Sequence, residues 1–226
     1  MTYDVMRKRP QVDLAVVEAL GEFGSATVHE VMHRRGALDS VIKPIRFDMK
    51  VCGPALTVWA EPGDNLIVHK ALSMADEGDV LVVCTRTPEA GFWGEVMTTA
   101  ALGRGVNGLV TDGAVRDSEA ITKRGFPVFS ANLCIKGTLK RMPGRINHPM
   151  VMAGQWIHPG DIVLGDDDGV VVIPWQEADG VLEGARARER KETAFMERLL
   201  RGESTMDLLG LNEAYQSLGL SEEPPL

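Results

Sequence analysis

The amino-acid sequence predicts one α/β domain that is followed by a C-terminal helical arm. Two runs of apolar and β-branched residues, GDVLVV (78–83) and VNGLVTD (106–112), predict buried strands because neither alternates with polar residues. Segments with helical spacing lie before and between these strands, over 62–75 and 94–103. A highly charged stretch over 176–204 has a thin apolar stripe and predicts one long helix.

The other elements follow from local composition. Residues 11–34 carry apolar side chains at helical spacing, and Gly24-Ser25 divides them into two short helices. KVCGPALTVWA (50–60) and FPVFSA (126–131) predict further strands. GDIVLGDDDGVVVIP (160–174) predicts a hairpin that turns at Asp168-Gly169.

These elements predict one α/β domain over residues 1–175, followed by a helical arm and tail over 176–226 within the same structural unit. The apolar stripe of the arm is too thin to be stable alone in water, so the arm needs a surface on its own subunit or on a neighbour. We expect the tail from Thr205 onward, which ends in EEPPL, to be loose.

Composition excludes several classes of protein. The chain has 226 residues, of which 44% are hydrophobic and 25% charged, as in soluble globular proteins. No apolar run approaches the ~20 residues that span a bilayer, and no secretory signal is visible, so we expect a cytoplasmic location without membrane association. A formal net charge of −8 argues against a nucleic-acid partner. Cys52, Cys84 and Cys134 lack disulfide or metal-ligand spacing and are expected to be reduced.

Two short motifs invite a metal interpretation. HEVMH (29–33) matches the HExxH zinc pattern, with His29 and His33 on one helix face and Glu30 as a base, but the short helix favours a pair of surface histidines. DDDG (166–169) lacks the alternating acidic residues and the final glutamate of a calcium loop, so it predicts a turn.

The most informative residues are Gly94-Glu95 and Arg116-Asp117, which are separated by twenty residues. Gly94 opens a helix whose first amides, on Glu95, Val96 and Met97, have no helical partner and can bind a carboxylate or phosphate. The next strand ends at Arg116 and Asp117. A helix followed by its strand places the two sets within reach of each other.

These side chains suit one chemistry. Asp117 is a hard oxygen ligand for Mg²⁺ or Mn²⁺, Glu95 can hold a metal-bound water, and Arg116 offers a planar donor pair to a carboxylate or enolate. The alternative is that Arg116, Asp117 and the following Ser118 and Glu119 only cap a helix with ordinary charge pairs. Asp64 and Asn65 open the helix within 62–75, where their carboxylate and amide groups could face a ligand. The alternative, which stays open, is that one of them is a simple helix cap.

The stretch GEVMTTAALGRGVNGLVTDGAVRD resembles the RraA-like superfamily, together with the upstream GPALTV and PGDN and the downstream GDIVLGDDDGVVVIP. Within it, the sequence is most similar to the 4-hydroxy-4-methyl-2-oxoglutarate and 4-carboxy-4-hydroxy-2-oxoadipate aldolases. The resemblance covers residues 20–175 and implies a swivelling β/β/α sandwich that assembles as a homotrimer or as a hexamer.

The resemblance also implies roles for single residues. Gly94–Met97 would bind the pyruvyl carboxylate through backbone amides, and Arg116 would contact the keto or enolate oxygen. Asp117 would ligate Mg²⁺ or Mn²⁺ directly, whereas Asn65 and Glu95 would act through metal-bound water. Glu192 would reach the metal site of a neighbouring subunit. One departure is Glu95, which stands where the aldolases have aspartate.

The resemblance predicts a metal-dependent lyase that cleaves a small oxo-acid substrate, a 4-hydroxy-2-oxo diacid, to pyruvate and a keto acid and also decarboxylates oxaloacetate. The alternative is a non-catalytic regulator that binds an RNA-processing nuclease, as RraA itself does. The charged arm favours the aldolase branch. A menaquinone methyltransferase is disfavoured because the chain has no glycine-rich nucleotide loop after a first strand.

Overall fold

A computed structural model describes residues 4–220. Among them are eight α-helices: α1 (Leu14–Gly21), α2 (Ser25–Val31), α3 (Leu66–Leu72), α4 (Glu95–Leu102), α5 (Ser118–Lys123), α6 (Ala178–Leu200), α7 (Thr205–Leu208) and α8 (Asn212–Ser217). The strands are β1 (Lys43–Pro44), β2 (Val51–Ala60), β3 (Val80–Cys84), β4 (Gly91–Trp93), β5 (Gly108–Val115), β6 (Val128–Leu133), β7 (Gly144–Ile146), β8 (Met150–Met152), β9 (Gln155–Ile157), β10 (Ile162–Asp166) and β11 (Gly169–Ile173).

The main sheet has the order β1-β6-β5-β3-β2-β10-β11, with β4 paired to β5 and β7 paired to β2. Strands β2, β3, β5 and β6 run parallel, whereas β10 and β11 form an antiparallel hairpin beside β2. At the two ends of this path, Lys43 on β1 donates a hydrogen bond to the carbonyl of Asp168 in the β10–β11 turn. The sheet is therefore nearly closed, and the predicted α/β class and hairpin are confirmed.

Strand β3 shows why the buried strands read as unbroken apolar runs. Leu81 and Val83 pack with α3 and α4 on one face, whereas Val80 and Val82 pack with β8 and β10 residues on the other. All four are fully buried. A strand covered on both faces has no polar side and hence no alternation.

The chain divides into two compact units, Met1–Ala185 and Arg186–Leu226. The first turns of α6 belong to the first unit, where Val181, Leu182 and Ala185 are buried, the first two in a core shared with α1 and α2. The sequence-based boundary at residue 175 lies before these buried turns.

The tail from Thr205 forms two short helices in the part that the structure describes, and neither has a buried residue. Ser204 caps α7 by accepting a hydrogen bond from the amide of Asp207, and Gly210 then takes a positive φ that ends the turn. Helix α8 follows. The final SEEPPL stretch, residues 221–226, lies outside the described residues.

Candidate active site

Three connections of the sheet meet at one pocket. Strand β2 leads to the start of α3, β4 leads into α4, and β5 leads into α5, so the carboxyl ends of parallel strands supply the polar groups. The cavity between them has a volume of about 200 Å³. Nine residues line it: Asn65, His69, Phe92, Gly94, Val96, Met97, Arg116, Asp117 and Lys140.

Asp117 turns its carboxylate away from its own helix. The residue occupies the N-cap position of α5 with φ 58° and ψ 35°, and its side chain makes no capping hydrogen bond. Instead Oδ2 accepts a hydrogen bond of 3.1 Å from the amide of Glu95, and Nε of Arg116 lies 3.8 Å from the same oxygen. A left-handed aspartate is uncommon, and the conformation directs the carboxylate to the pocket.

Gly94 leaves the space that this carboxylate uses. A Cβ atom at position 94 would overlap Oδ2 of Asp117 and would lie 3.2 Å from Cγ and Nε of Arg116. Only glycine therefore allows the start of α4 to lie against these two side chains.

Helix α4 presents free amides to the same cavity. The first intrahelical hydrogen bond runs from Thr98 to the carbonyl of Gly94 over 3.0 Å. Of the three preceding amides, that of Glu95 is taken by Asp117, whereas those of Val96 and Met97 donate to no residue in the range 4–220. Two orphan donors at the positive end of a helix suit a carboxylate.

Asn65 contributes a buried oxygen without a partner. Its Nδ2 donates to the carbonyl of Phe92 over 2.8 Å and lies 3.7 Å from Sδ of Met97. Its Oδ1 is buried and accepts no hydrogen bond within the described residues. Since buried amide oxygens are almost always satisfied, this atom indicates a missing donor such as a water molecule.

Asn65 occupies the N-cap position of α3 without a capping side-chain bond, and its neighbour Asp64 bonds the first helical amide instead. Oδ1 of Asp64 accepts from the amide of Leu66 over 2.9 Å, and its Oδ2 accepts from the amides of Arg141 and Met142 over 2.6 and 3.2 Å. Burial raises the pKa of this carboxyl, but the three amides and the charge of Lys140 outweigh burial, so the net pKa is lowered.

Lys140 and His69 also line the pocket, and the sequence analysis assigns neither of them a role. Lys140 lies on a segment that Asp64 fastens from 77 positions away, so no local pattern identifies it. Burial lowers the pKa of His69, and the charge of Lys140 lowers it further. The imidazole is therefore neutral at pH 7.

Two predicted site residues do not join the pocket through their side chains. Glu95 contributes its amide, but its Oε1 accepts hydrogen bonds from Nε and Nη2 of Arg124, over 3.1 and 2.7 Å. Its carboxylate thus lies in a separate groove with Arg124 and Lys123. Glu192 belongs to the second unit and pairs with Arg188 over 2.7 Å.

The oxygen donors of the pocket fit a small, hard divalent ion. Asp117 offers one carboxylate and Asn65 an unsatisfied amide oxygen, and Mg²⁺ is commonly held by one or two carboxylates plus waters. Over residues 4–220, no group of three or more His, Cys, Asp or Glu could form an all-protein metal cage.

The structure contradicts the zinc interpretation of HEVMH. Helix α2 ends at Val31, and His33 follows it with φ 55°, so His29 and His33 do not share a helix face. Nδ1 of His29 is hydrogen-bonded to the carbonyl of Arg35 over 2.9 Å. The three cysteines are free thiols, as expected.

Comparison with known proteins assigns the chain to a family. The RraA-like family model, described as Aldolase/RraA, matches residues 25–172 and thus more than half of the chain. The chain belongs to the RraA-like family. The match includes every strand and loop that builds the pocket of this RraA-like protein. In the part of the chain that the structure describes, no helix has the length and apolarity to cross a membrane.

Three RraA-like relatives are informative. The chain is 39% identical over 162 residues to a protein of Halalkalibacterium halodurans named "Putative 4-hydroxy-4-methyl-2-oxoglutarate aldolase", an alignment that covers 70% of this chain and 75% of the relative. A solved structure of an uncharacterized protein from Pseudomonas syringae pv. tomato matches with a TM-score of 0.78 and 26% identity, over 88% of this chain and 99% of that one. Streptomyces coelicolor RraAS2, described as an unusual member of the RNase ES inhibitor RraA family, matches with a TM-score of 0.75 and 26% identity, over 83% of this chain and 100% of that one.

Proposed function

We propose that this RraA-like protein is an aldolase dependent on Mg²⁺ or Mn²⁺. Its substrate would be a 4-hydroxy-2-oxo diacid such as 4-hydroxy-4-methyl-2-oxoglutarate or 4-carboxy-4-hydroxy-2-oxoadipate, cleaved to pyruvate and a second oxo acid. The observation that carries this proposal is the carboxylate of Asp117, which leaves its own helix to face a pocket beside Arg116. The name of the Halalkalibacterium relative supports the same substrate class.

The residues present suggest how the ion would be held. Asp117 would bind it directly, and Oδ1 of Asn65 would accept a hydrogen bond from a water on it. Glu95 would take part only after leaving Arg124, and a contribution of Glu192 from a neighbouring subunit stays a prediction. When bound, the ion would act as a Lewis acid toward the 2-oxo acid end of the substrate.

Protein groups would bind the substrate and stabilise the enolate. The amides of Val96 and Met97 would bind the substrate carboxylate, and the guanidinium of Arg116 would face the 2-oxo oxygen. A water in the pocket would accept the proton of the 4-hydroxyl group as the C3–C4 bond breaks. Arg116 would then stabilise the negative charge on the pyruvate enolate until C3 is protonated. Oxaloacetate decarboxylation gives the same enolate, so the same site would catalyse it.

Product formation with purified protein tests this proposal. Pyruvate release from 4-hydroxy-4-methyl-2-oxoglutarate and from oxaloacetate would be followed with Mg²⁺, without it, and after addition of a chelator. We expect both reactions to require the metal and to stop with chelator. Failure to release pyruvate from either substrate in the presence of Mg²⁺ or Mn²⁺ would refute the proposal.

The pocket also suggests an assembly. Large apolar side chains with high exposure lie on the elements around it, including Val96 at 81% and Ile135 at 93%. Leu66 and Leu139 are exposed and directly adjoin the lining residues Asn65 and Lys140 in the chain, and the exposed Met142 follows two positions after Lys140. These exposed apolar residues are called the rim. Since apolar residues clustered this way are typical of protein contacts, we propose that this rim is covered in a homotrimer or a hexamer.

The alternative function, a regulator of an RNA-processing nuclease, has the name of the Streptomyces relative in its favour. A regulator would not need Asp117 or an unsatisfied Asn65 in a shared pocket. If the protein released no pyruvate but inhibited an RNase E-type nuclease, this alternative would replace the aldolase proposal.

A further inference from the structure

The pocket is lined by Lys140, a positively charged side chain that binding of the pyruvate half of the substrate does not require. In the proposed function, Arg116 and the amides of Val96 and Met97 already serve the 2-oxo acid end. Lys140 lines the same pocket with an exposed side chain and forms no hydrogen bond or close ion pair within residues 4–220, although its charge lowers the pKa of the Asp64 carboxyl. An ammonium group that lines a small cavity and is held by no hydrogen bond is suited to a ligand of opposite charge.

The backbone on both sides of Lys140 is fixed. Leu139 donates its amide to the carbonyl of Gly63 over 2.8 Å, and its own carbonyl accepts from the amide of Asn65 over 3.0 Å. On the other side, the amides of Arg141 and Met142 donate to the buried carboxylate of Asp64. Residue 140 is therefore held at its position before any ligand arrives, which reduces the entropy lost on binding.

The charges around Lys140 favour a second anion. Asp117 is the one carboxylate among the lining residues, and it is the proposed ligand of a divalent ion. His69 is also part of the lining and is neutral at pH 7, because burial and Lys140 lower its pKa. An imidazole beside an ammonium group can donate a second hydrogen bond to the same carboxylate.

Resting on the proposed function, we infer that Lys140 binds the carboxylate attached to C4 of the substrate, which in 4-hydroxy-4-methyl-2-oxoglutarate is the C5 carboxylate, and makes the protein select 4-hydroxy-2-oxo diacids over the corresponding monoacids. Lys140 is thus a specificity-determining residue, separate from Arg116 and Asp117, which act at the opposite side of the bond that is cleaved.

A matched pair of substrates measures this selectivity. The diacid is 4-hydroxy-4-methyl-2-oxoglutarate, and the monoacid is 4-hydroxy-4-methyl-2-oxopentanoate, in which a methyl group replaces the C5 carboxylate. Both are assayed with wild type, Lys140→Met, Lys140→Arg and the control Lys70→Met, which changes an exposed lysine of α3 outside the pocket.

We expect Lys140→Met to lower kcat/KM for the diacid about ten- to hundredfold, as for a lost charge-assisted hydrogen bond, and to leave the monoacid within about twofold. Lys140→Arg should recover part of the loss, and Lys70→Met should change neither substrate. Equal losses for both substrates, or no loss for the diacid, would overturn the inference.

A binding measurement separates this inference from the proposed function. Isothermal titration in the presence of Mg²⁺ would compare 2-oxoglutarate with 2-oxopentanoate, neither of which has the 4-hydroxyl group needed for cleavage. Wild type should prefer 2-oxoglutarate, and Lys140→Met should lose that preference. If wild type cleaves neither substrate, the aldolase proposal fails while the titration still decides the role of Lys140. Binding without preference, or no binding of either compound, would refute the role of Lys140.

Discussion

Asp117 combines a left-handed backbone with a carboxylate that is 44% exposed. Asparagine tolerates the left-handed region about as well as aspartate, whereas alanine adds a backbone cost of about 1 kcal/mol. Asp117→Asn is therefore the sharper substitution, because it removes the charge and keeps the conformation.

We expect Asp117→Asn to reduce metal-dependent pyruvate release by ~10² or more, with the melting temperature nearly unchanged. Asp117→Ala should abolish the activity and also lower stability slightly. The matched control is Asp48→Asn, since Asp48 is an exposed aspartate at φ 70° that lies outside the pocket. An Asp117→Asn variant with most of the Mg²⁺-dependent rate would show that the metal lies elsewhere.

Arg116 offers a second test, in which charge is kept and geometry is changed. A guanidinium presents two parallel donors to an enolate oxygen or a carboxylate, whereas lysine presents a point charge on a flexible stem. We expect Arg116→Lys to lower kcat by ~10²–10³ and to raise KM much less, for both aldol cleavage and oxaloacetate decarboxylation. Steady-state kinetics check this, with the exposed Arg34→Lys as control.

If aldol cleavage and oxaloacetate decarboxylation share one enolate, Arg116→Lys should lower both rates together. Loss of one with retention of the other would refute the shared intermediate. Retention of both would mean that Arg116 is only a charge at the end of a strand.

At the scale of elements, Asp64 joins the turn before α3 to the segment 139–142. Its net lowered pKa means that the native state favours the ionised form. The stabilisation is therefore present above the unfolded pKa of about 4 and is lost as the pH falls through the lower native pKa.

We expect Asp64→Asn to lower the free energy of unfolding at pH 7 by about 1–3 kcal/mol, because an amide group cannot accept from all three backbone donors. The difference from wild type should shrink below about pH 4. Urea unfolding at several pH values and one protein concentration measures it. Asp168→Asn, an exposed change in the β10–β11 turn, should show no such dependence. A difference that stays constant down to low pH would contradict the role of the ionised carboxylate.

Elements with a strong local pattern were predictable from the sequence. The buried β-branched runs gave β2, β3 and β5, and the Asp168-Gly169 turn gave the β10–β11 hairpin. The two- and three-residue strands β1, β4, β7, β8 and β9 were not predicted, since pairing with distant partners creates them and no periodicity develops over so short a length.

The pocket residues that the sequence predicted are those whose proximity follows from the order of the elements along the chain. Gly94 and Arg116 lie at the ends of consecutive elements, so their proximity follows from chain order. Lys140 reaches the pocket because its neighbour Arg141 is bonded to Asp64, 77 positions earlier, and Glu95 pairs with Arg124, a contact that no spacing rule predicts. Contacts of this kind depend on tertiary structure.

At the scale of the whole molecule, we expect a trimer or a hexamer, with the 176–204 arm packed on a neighbouring subunit. The exposed apolar rim of the pocket and the apolar side chains of the arm beyond Ala185, such as Met196 and Leu200, both need cover. Sedimentation velocity at micromolar concentration checks the assembly, and Val96→Glu on the rim should weaken it. The exposed change Glu183→Lys in the first unit serves as a charge control. A monomeric wild type would contradict this expectation.

The fastening of residues 139–142 to Asp64 also has a consequence for the order of folding. Closing the loop between Asp64 and Arg141, which are 77 positions apart, costs chain entropy before the hydrogen bonds at its ends can form. In contrast, α3, α4 and the β10–β11 hairpin need only local contacts. We therefore expect the chain to hold much of its secondary structure while the pocket is still open on the Lys140 side. In a newly made molecule, the local helices and the β10–β11 hairpin would form before Lys140 reaches the pocket. The proposed preference for diacids would therefore arise late in folding.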